Sequence, residues 1–202
     1  MFKKLEATIN EIKQGFDEIP SDRKKLLSEV ADFISQELDE NGTVKLNFIC
    51  THNSRRSHLA QIWTQTAAAY NNIDGVETFS GGTEATAFNP RAVAAIERAG
   101  FEVENPGGEN PEYRIQFDED AEPMLCFSKT FDDPANPSKD FAAIMTCSDA
   151  DANCPFVPGA TFRKPVTYND PKEADGTVKE QEIYDERCMQ IGTEMFYMMH
   201  QL

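Results

Sequence analysis

A thiol and a guanidinium six residues apart stand in Cys50-Thr51-His52-Asn53-Ser54-Arg55-Arg56-Ser57. The apolar run Val44-Lys45-Leu46-Asn47-Phe48-Ile49 before it reads as a buried strand, and Leu59-Ala60-Gln61-Ile62-Trp63 after it opens a helix. A loop entering a helix presents unpaired backbone N–H groups and a partial positive charge, which together cradle a tetrahedral oxyanion. The same positive field, with Arg56, favours the thiolate form of Cys50, the form that attacks. Asn53, Ser54 and Ser57 add side-chain hydrogen-bonding groups to the same short stretch. Two uses fit these residues: an oxyanion site with a nucleophile at its base, or a cysteine that ends a core strand beside solvated arginines.

The elements that must position this loop follow from periodicity. Phe2, Leu5, Ile9, Ile12 and Phe16 recur every three or four residues, as on an amphipathic helix. Ile19-Pro20 interrupts it, Ser21 is expected to cap a second helix, and Asn41-Gly42 ends that helix. The chain is therefore divided into a helical hairpin appendage over 1–42 and a catalytic domain over 43–202. In the latter, a helix runs to about Tyr70 and Val76–Phe79 is a short strand ending in Ser80-Gly81-Gly82-Thr83. Asn89-Pro90 opens a helix that Gly100 closes. Strands are expected at Tyr113–Phe117, Met124–Phe127, Phe141–Thr146 and Thr161–Val166, and a long helix from about Lys179 to Met199. Alternating strands and helices predict an α/β fold: a mainly parallel four-stranded twisted sheet flanked by helices. In such sheets ligands sit beyond the carboxyl ends of the strands, where both Cys50 and Cys147 fall.

With 202 residues, 40% apolar and 27% charged, the composition is that of an ordinary globular protein. Lys and Arg number 19 against 35 Asp and Glu, a net charge of −16, which argues against nucleic acid and anionic membranes as partners. An anion must then be captured by a local cationic pocket, for which Arg55, Arg56, His52 and His58 are the candidates. No apolar run is long enough to span a bilayer, and no secretory pattern opens the chain, so a cytoplasmic location is expected. Five cysteines, an odd number, do not read as a secreted disulfide framework, and the three His show no zinc-like spacing, so no metal is expected.

The segment 50–57 resembles the Cys-x5-Arg-Ser loop of low-molecular-weight protein tyrosine phosphatases and thioredoxin-linked arsenate reductases, which share one fold. Phe79-Ser80-Gly81-Gly82-Thr83 is similar to their Ser-Ala-Gly-Thr segment, and Asn169-Asp170-Pro171 to their late Asp-Pro loop. The resemblance implies Cys50 as nucleophile and Arg56 as the planar oxyanion clamp, within a substrate loop of Thr51, His52, Asn53, Ser54, Arg55, Arg56 and Ser57. It makes Asn53 the brace of the loop, Ser57 a donor to the thiolate and Asp170 the general acid.

Cys147-Ser148-Asp149-Ala150-Asp151-Ala152-Asn153-Cys154-Pro155 further resembles the paired-cysteine element of the reductases. That likeness implies reduction of arsenate to arsenite by a cascade through Cys50, Cys147 and Cys154. The cascade needs no bound cofactor, only an external thiol donor such as thioredoxin. A regular helix over 147–154 would hold the two Cα atoms about 10 Å apart. A disulfide needs roughly 4.4–6.8 Å, so the segment is expected to be a loop or to unwind on oxidation. The alternatives are a phosphatase acting on phosphomonoesters, with Cys147 and Cys154 protecting Cys50, and a non-catalytic phosphate-binding module. Lys172-Glu173-Ala174 follows Asp170 where the phosphatases usually place aromatic residues, leaving Tyr168 or Trp63 to supply a wall. His52 stands where the family usually has Gly, Arg55 where it often has Cys or Ala, and Gln61 where some reductases use Glu at a potassium site. Cys126 and Cys188 read as core residues.

Overall fold

The computed structural model describes residues 1–202. Four parallel strands form the central sheet: β1 (Val44–Cys50), β2 (Val76–Gly82), β6 (Phe141–Met145) and β7 (Ala160–Pro165), in the order β2-β1-β6-β7. This is the α/β architecture that the alternation of elements predicts. Parallel neighbours need crossovers, supplied between β1 and β2 by helix α3 (Arg56–Tyr70). Because β1 is central, its residues are buried on both faces, which is why the segment reads as a nearly continuous apolar run.

β2 extends three residues beyond its expected end. Ser80, Gly81 and Gly82 pair with Phe48, Ile49 and Cys50. The two glycines belong to the strand because other backbone presses on it. A Cβ on Gly81 would lie 2.4 Å from Phe131 Cα, and one on Gly82 would lie 2.3 Å from the Glu84 carbonyl oxygen and 2.7 Å from that of Thr51.

A second sheet of three antiparallel strands, β3 (Glu102–Glu104), β4 (Tyr113–Gln116) and β5 (Met124–Cys126), stands apart from the first. Before it, α4 (Pro90–Ala99) is capped as predicted: Asn89 accepts from the Arg91 N–H, and Gly100 takes a left-handed φ of 111°.

Helices α1 (Lys3–Gln14) and α2 (Ser21–Asn41) both lean on the last helix, α6 (Glu180–Met199). Ser21 is the first helical residue rather than the cap; Pro20 occupies the cap position and no side chain bonds there. Leu5, Ile9, Ile12, Leu27 and Ile34 join Trp63, Ile191, Met195 and Phe196 in the main core. Each large side chain fully buried there is worth about 1.5–3 kcal/mol relative to exposure. α2 is also tied by charge: Arg23 donates from Nε (2.9 Å) and Nη2 (2.7 Å) to Glu194 Oε2 and lies 4.8 Å above the Tyr168 ring. No helix is long and apolar enough to cross a membrane.

Candidate functional site

β1 delivers Cys50 to the carboxyl edge of the sheet, and α3 begins six residues later at Arg56. Between them Asn53 adopts a left-handed φ of 44°, a conformation that Asn tolerates better than most residues. Its side chain fixes the bend: Oδ1 accepts from the Lys129 N–H at 2.9 Å, and Nδ2 donates to Ser57 Oγ at 2.9 Å. Because Ser57 accepts from Asn53, its own proton is free for Cys50 Sγ, 3.1 Å away. Ser54 is held by donating to the Ala87 carbonyl at 2.7 Å. The backbone N–H groups of His52 to Arg55 find no acceptor within the protein, as a loop shaped to receive an anion requires.

Arg56 lies deep, 9% exposed, and reaches across to the segment after β7. Nη1 donates to the Tyr168 carbonyl and Nη2 to Asp170 Oδ2, both at 2.8 Å. Asp170 Oδ1 accepts from the Lys172 N–H, capping the 3-10 turn Pro171–Ala174. The cavity bounded by Cys50, His52, Ser54, Arg55, Arg56 and Asp170 is about 10 Å³, room for about one water. A larger cavity, about 420 Å³, opens elsewhere, between α3, β2 and β5, and holds none of these residues.

β6 ends beside β1 and leads into Cys147. Of the two expectations for this segment, a loop or a helix that unwinds on oxidation, the structure excludes the loop: Ser148–Asn153 is a short helix, α5. The Cys147 side chain accepts from the Ala150 N–H at 3.3 Å and so caps the helix in place of the usual hydroxyl or carboxylate. Cys147 is fully buried, and its Sγ lies 3.4 Å from Thr51 Oγ1. Cys154, half-buried, follows the last turn. Cys50 and Cys147 share a small apolar cluster with Ile49, Met145 and Val157, and Cys154 packs against its edge. No two of the five cysteines are joined in a disulfide.

Two residues expected at the cationic pocket behave differently. His58 is fully buried, stacked on Phe88 with ring centroids 4.1 Å apart, and bonded through Nδ1 to Ser80 Oγ at 3.1 Å. Burial, and then the charge of Lys129, hold it well below its ordinary pKa, so it stays neutral and adds no charge to the loop. His52 is exposed at the rim, 3.6 Å from Glu84. The aromatic wall is missing too. Trp63 lies in the core, and Tyr168 turns its ring to Arg23 while its carbonyl serves Arg56. Burial pushes the Cys126 and Cys188 thiols up to about 12, in keeping with the core places expected of them.

Sequence reasoning passed over Tyr184 and Asp175. Arg55 donates from Nε to the Tyr184 hydroxyl at 2.9 Å, and that hydroxyl donates to Asp175 Oδ1 at 2.7 Å. Nothing in their spacing marks the three as partners. Lys129, whose N–H braces Asn53, is equally silent in sequence.

Fold and site define a class: a parallel α/β protein with a Cys-x5-Arg loop at the head of its sheet. No family model matches the chain. An arsenate reductase of Staphylococcus aureus is 30% identical over 125 residues, 61% of this chain and 76% of that protein. An arsenate reductase of Bacillus subtilis is 26% identical over 149 residues, 73% of this chain and 89% of its own. Among solved structures, a low-molecular-weight phosphotyrosine phosphatase of Vibrio cholerae superposes with a TM-score of 0.53 at 13% identity, covering 78% of this chain and 95% of that one. An arsenate reductase in its phosphate-binding state gives 0.52 at 18% identity, covering 79% and 98%. The chain belongs to the arsenate reductase family, a family of enzymes, and it shares the fold of the low-molecular-weight tyrosine phosphatases.

Proposed function

We propose that this enzyme reduces arsenate to arsenite by a three-thiol cascade. The Cys50 thiolate attacks arsenic while Arg56 and the loop N–H groups hold the oxyanion. Asp170 gives its proton to the departing oxygen, which leaves as water. The Cys147 thiolate then attacks Cys50 Sγ. A sulfur–sulfur bond forms, the sulfur–arsenic bond breaks, and its electron pair stays on arsenic, which leaves as arsenite. Cys154 next attacks Cys147, releasing Cys50 as thiolate and leaving a Cys147–Cys154 disulfide for an external dithiol such as thioredoxin to reduce.

The observation that carries this reading is the seating of Cys147. Its sulfur lies 3.4 Å from the hydroxyl of Thr51, the residue next to Cys50, and both thiols share one apolar cluster with Cys154 at its edge. The Staphylococcus and Bacillus relatives, both named arsenate reductases, support reduction of arsenate as the reaction. A phosphatase reading is favoured by a different observation. Asp170 is partly exposed at the mouth and bonded to Arg56, a position from which a carboxyl group can protonate an ester oxygen.

Thioredoxin-coupled arsenate turnover and aryl-phosphate hydrolysis, measured on wild type, Cys50→Ser, Cys147→Ser and Cys154→Ser, separate the two. The reductase reading expects arsenate turnover to vanish in all three variants and hydrolysis only in Cys50→Ser. Brisk hydrolysis by wild type without arsenate turnover would overturn it.

A further inference from the structure

We propose that Arg55 is a second guanidinium for the oxyanion, positioned by Tyr184 and Asp175, and that it makes the site prefer a free oxyanion to a phosphomonoester. The proposal rests on the Cys50 loop being the oxyanion site described above.

An arginine just before a helix is free to extend into solvent, yet the Arg55 side chain is only 12% exposed. A directed chain of bonds holds it. The Tyr184 hydroxyl has one proton and gives it to Asp175, so its oxygen accepts from Arg55 Nε. Burial, and then the bond to Asp175, push that hydroxyl up to about 12, so it remains a donor across the physiological range. Asp175 Oδ2 also lies 3.6 Å from Arg55 Nη2, and Asp175 is steadied from the far side by Arg91, itself 2.8 Å from Glu180. The Tyr184 ring is buried, so the anchor for Arg55 does not move with the surface.

So fixed, Arg55 shares one carboxylate with Arg56. Asp170 Oδ2 is 2.8 Å from Arg56 Nη2, and Oδ1 is 3.9 Å from Arg55 Nε. A tetrahedral oxyanion likewise offers adjacent oxygens that share negative charge, and one that displaces the Asp170 carboxylate meets both guanidinium groups at once. A monoester has one oxygen blocked by its substituent and so has one fewer free oxygen to share between two guanidinium groups. The small cavity lacks an apolar wall on which that substituent could settle. In a chain of net charge −16, a second fixed cation also offsets the repulsion an anion meets on approach.

The test reads binding without turnover. Protection of Cys50 from iodoacetamide by inorganic phosphate, and separately by phenyl phosphate, is followed by mass spectrometry of the Cys50 peptide. Wild type, Arg55→Ala, Arg55→Lys and Tyr184→Phe are compared, with a melting curve for each. Wild type is expected to be protected at lower concentrations of phosphate than of phenyl phosphate. Arg55→Ala should weaken protection by phosphate about tenfold, the size of one lost charge-assisted hydrogen bond, and protection by phenyl phosphate far less. Tyr184→Phe should reproduce much of that selective loss, and Arg55→Lys should recover part of it. If Tyr184→Phe does not fold, Asp175→Asn takes its place. Equal weakening toward both anions, or no weakening in either Arg55→Ala or the positioning variant, overturns the proposal. Absence of arsenate turnover with the phosphate preference intact would defeat the reductase reading and leave the assignment of Arg55 standing.

Discussion

Arg56 is bonded to Asp170, Nη2 to Oδ2 at 2.8 Å, across the mouth of the Cys50 loop. In the proposed reaction the guanidinium that would hold the oxyanion and the carboxyl group that would protonate the leaving oxygen are thus paired with each other. An entering anion competes with Asp170 for the same fork, so binding costs one ion pair as it forms another.

Replacing that carboxylate should therefore separate binding from chemistry. Asp170→Asn removes the competitor, and inorganic phosphate is expected to protect Cys50 from alkylation at several-fold lower concentration. The modest size reflects a partly exposed pair. Turnover that depends on proton donation should fall by about 10²-fold or more. Weaker protection by phosphate in this variant would show that Asp170 does not compete for Arg56.

The contact between Thr51 and Cys147 makes a second prediction. A hydroxyl 3.4 Å from a buried sulfur can stabilise its anion where no water reaches. Thr51→Val keeps the shape and removes the donor. Alkylation of Cys50 should be little changed, whereas release of arsenite in a single turnover should slow by about tenfold, the worth of one hydrogen bond to a charged group. Equal rates in a rapid-quench comparison would assign the hydroxyl a packing role only.

The short helix α5 makes a third. Cys147 caps it through the Ala150 N–H, and Cys154 N–H donates to the Ala150 carbonyl at its other end. While those bonds persist, the two sulfurs cannot meet, because the helix spaces their Cα atoms by about 10 Å. Oxidation to the Cys147–Cys154 disulfide must unwind the helix. Amide hydrogen exchange over 150–154 should be faster in the oxidised protein than in the reduced one. Identical protection in the two forms would contradict a disulfide between these residues.

His58 makes a prediction about acid. Its folded pKa is depressed below the ordinary value of about 6.5, chiefly by burial. As pH falls through 6.5 the unfolded chain takes up a proton that the folded chain refuses, so stability declines toward low pH until the folded pKa is reached. His58→Phe removes the titrating group while keeping a ring against Phe88. Urea denaturation between pH 7 and pH 5 should therefore show a shallower loss of stability in the variant, after allowance for the lost bond to Ser80. An unchanged slope would mean that other groups govern acid sensitivity.

How much of this was readable in the chain depends on the distance over which each signal acts. β1 and the start of α4 at Asn89-Pro90 are local matters of periodicity and backbone preference, and they stand as expected. β2 was read short because Ser-Gly-Gly looks like a turn; only the backbone of Phe131 and Thr51, far away in sequence, explains why glycine is needed inside a strand. β3, three residues with Glu at both ends, has no apolar pattern to detect and exists through its pairing with β4. α5 forms despite its weak helix formers because a thiol caps it, a use of cysteine that composition does not signal. The candidate site divides likewise. Cys50 to Ser57 declares itself by composition, whereas the link from Arg55 to Tyr184 and Asp175 is a product of how α6 packs.

The seating of α1 and α2 on α6 bears on how the chain is made. A ribosome releases the first two helices well before α6, the surface they cover, has been synthesised. Until then Leu5, Ile9, Leu27 and Ile34 have no partner in Ile191, Met195 or Phe196, and Arg23 has no Glu194. Most helical stability in proteins comes from packing of the apolar face, which these two helices lack until α6 is made. The amino-terminal part of the nascent chain therefore waits, sticky and only partly helical, and is in need of holding, until the last helix emerges and closes the core from both ends at once.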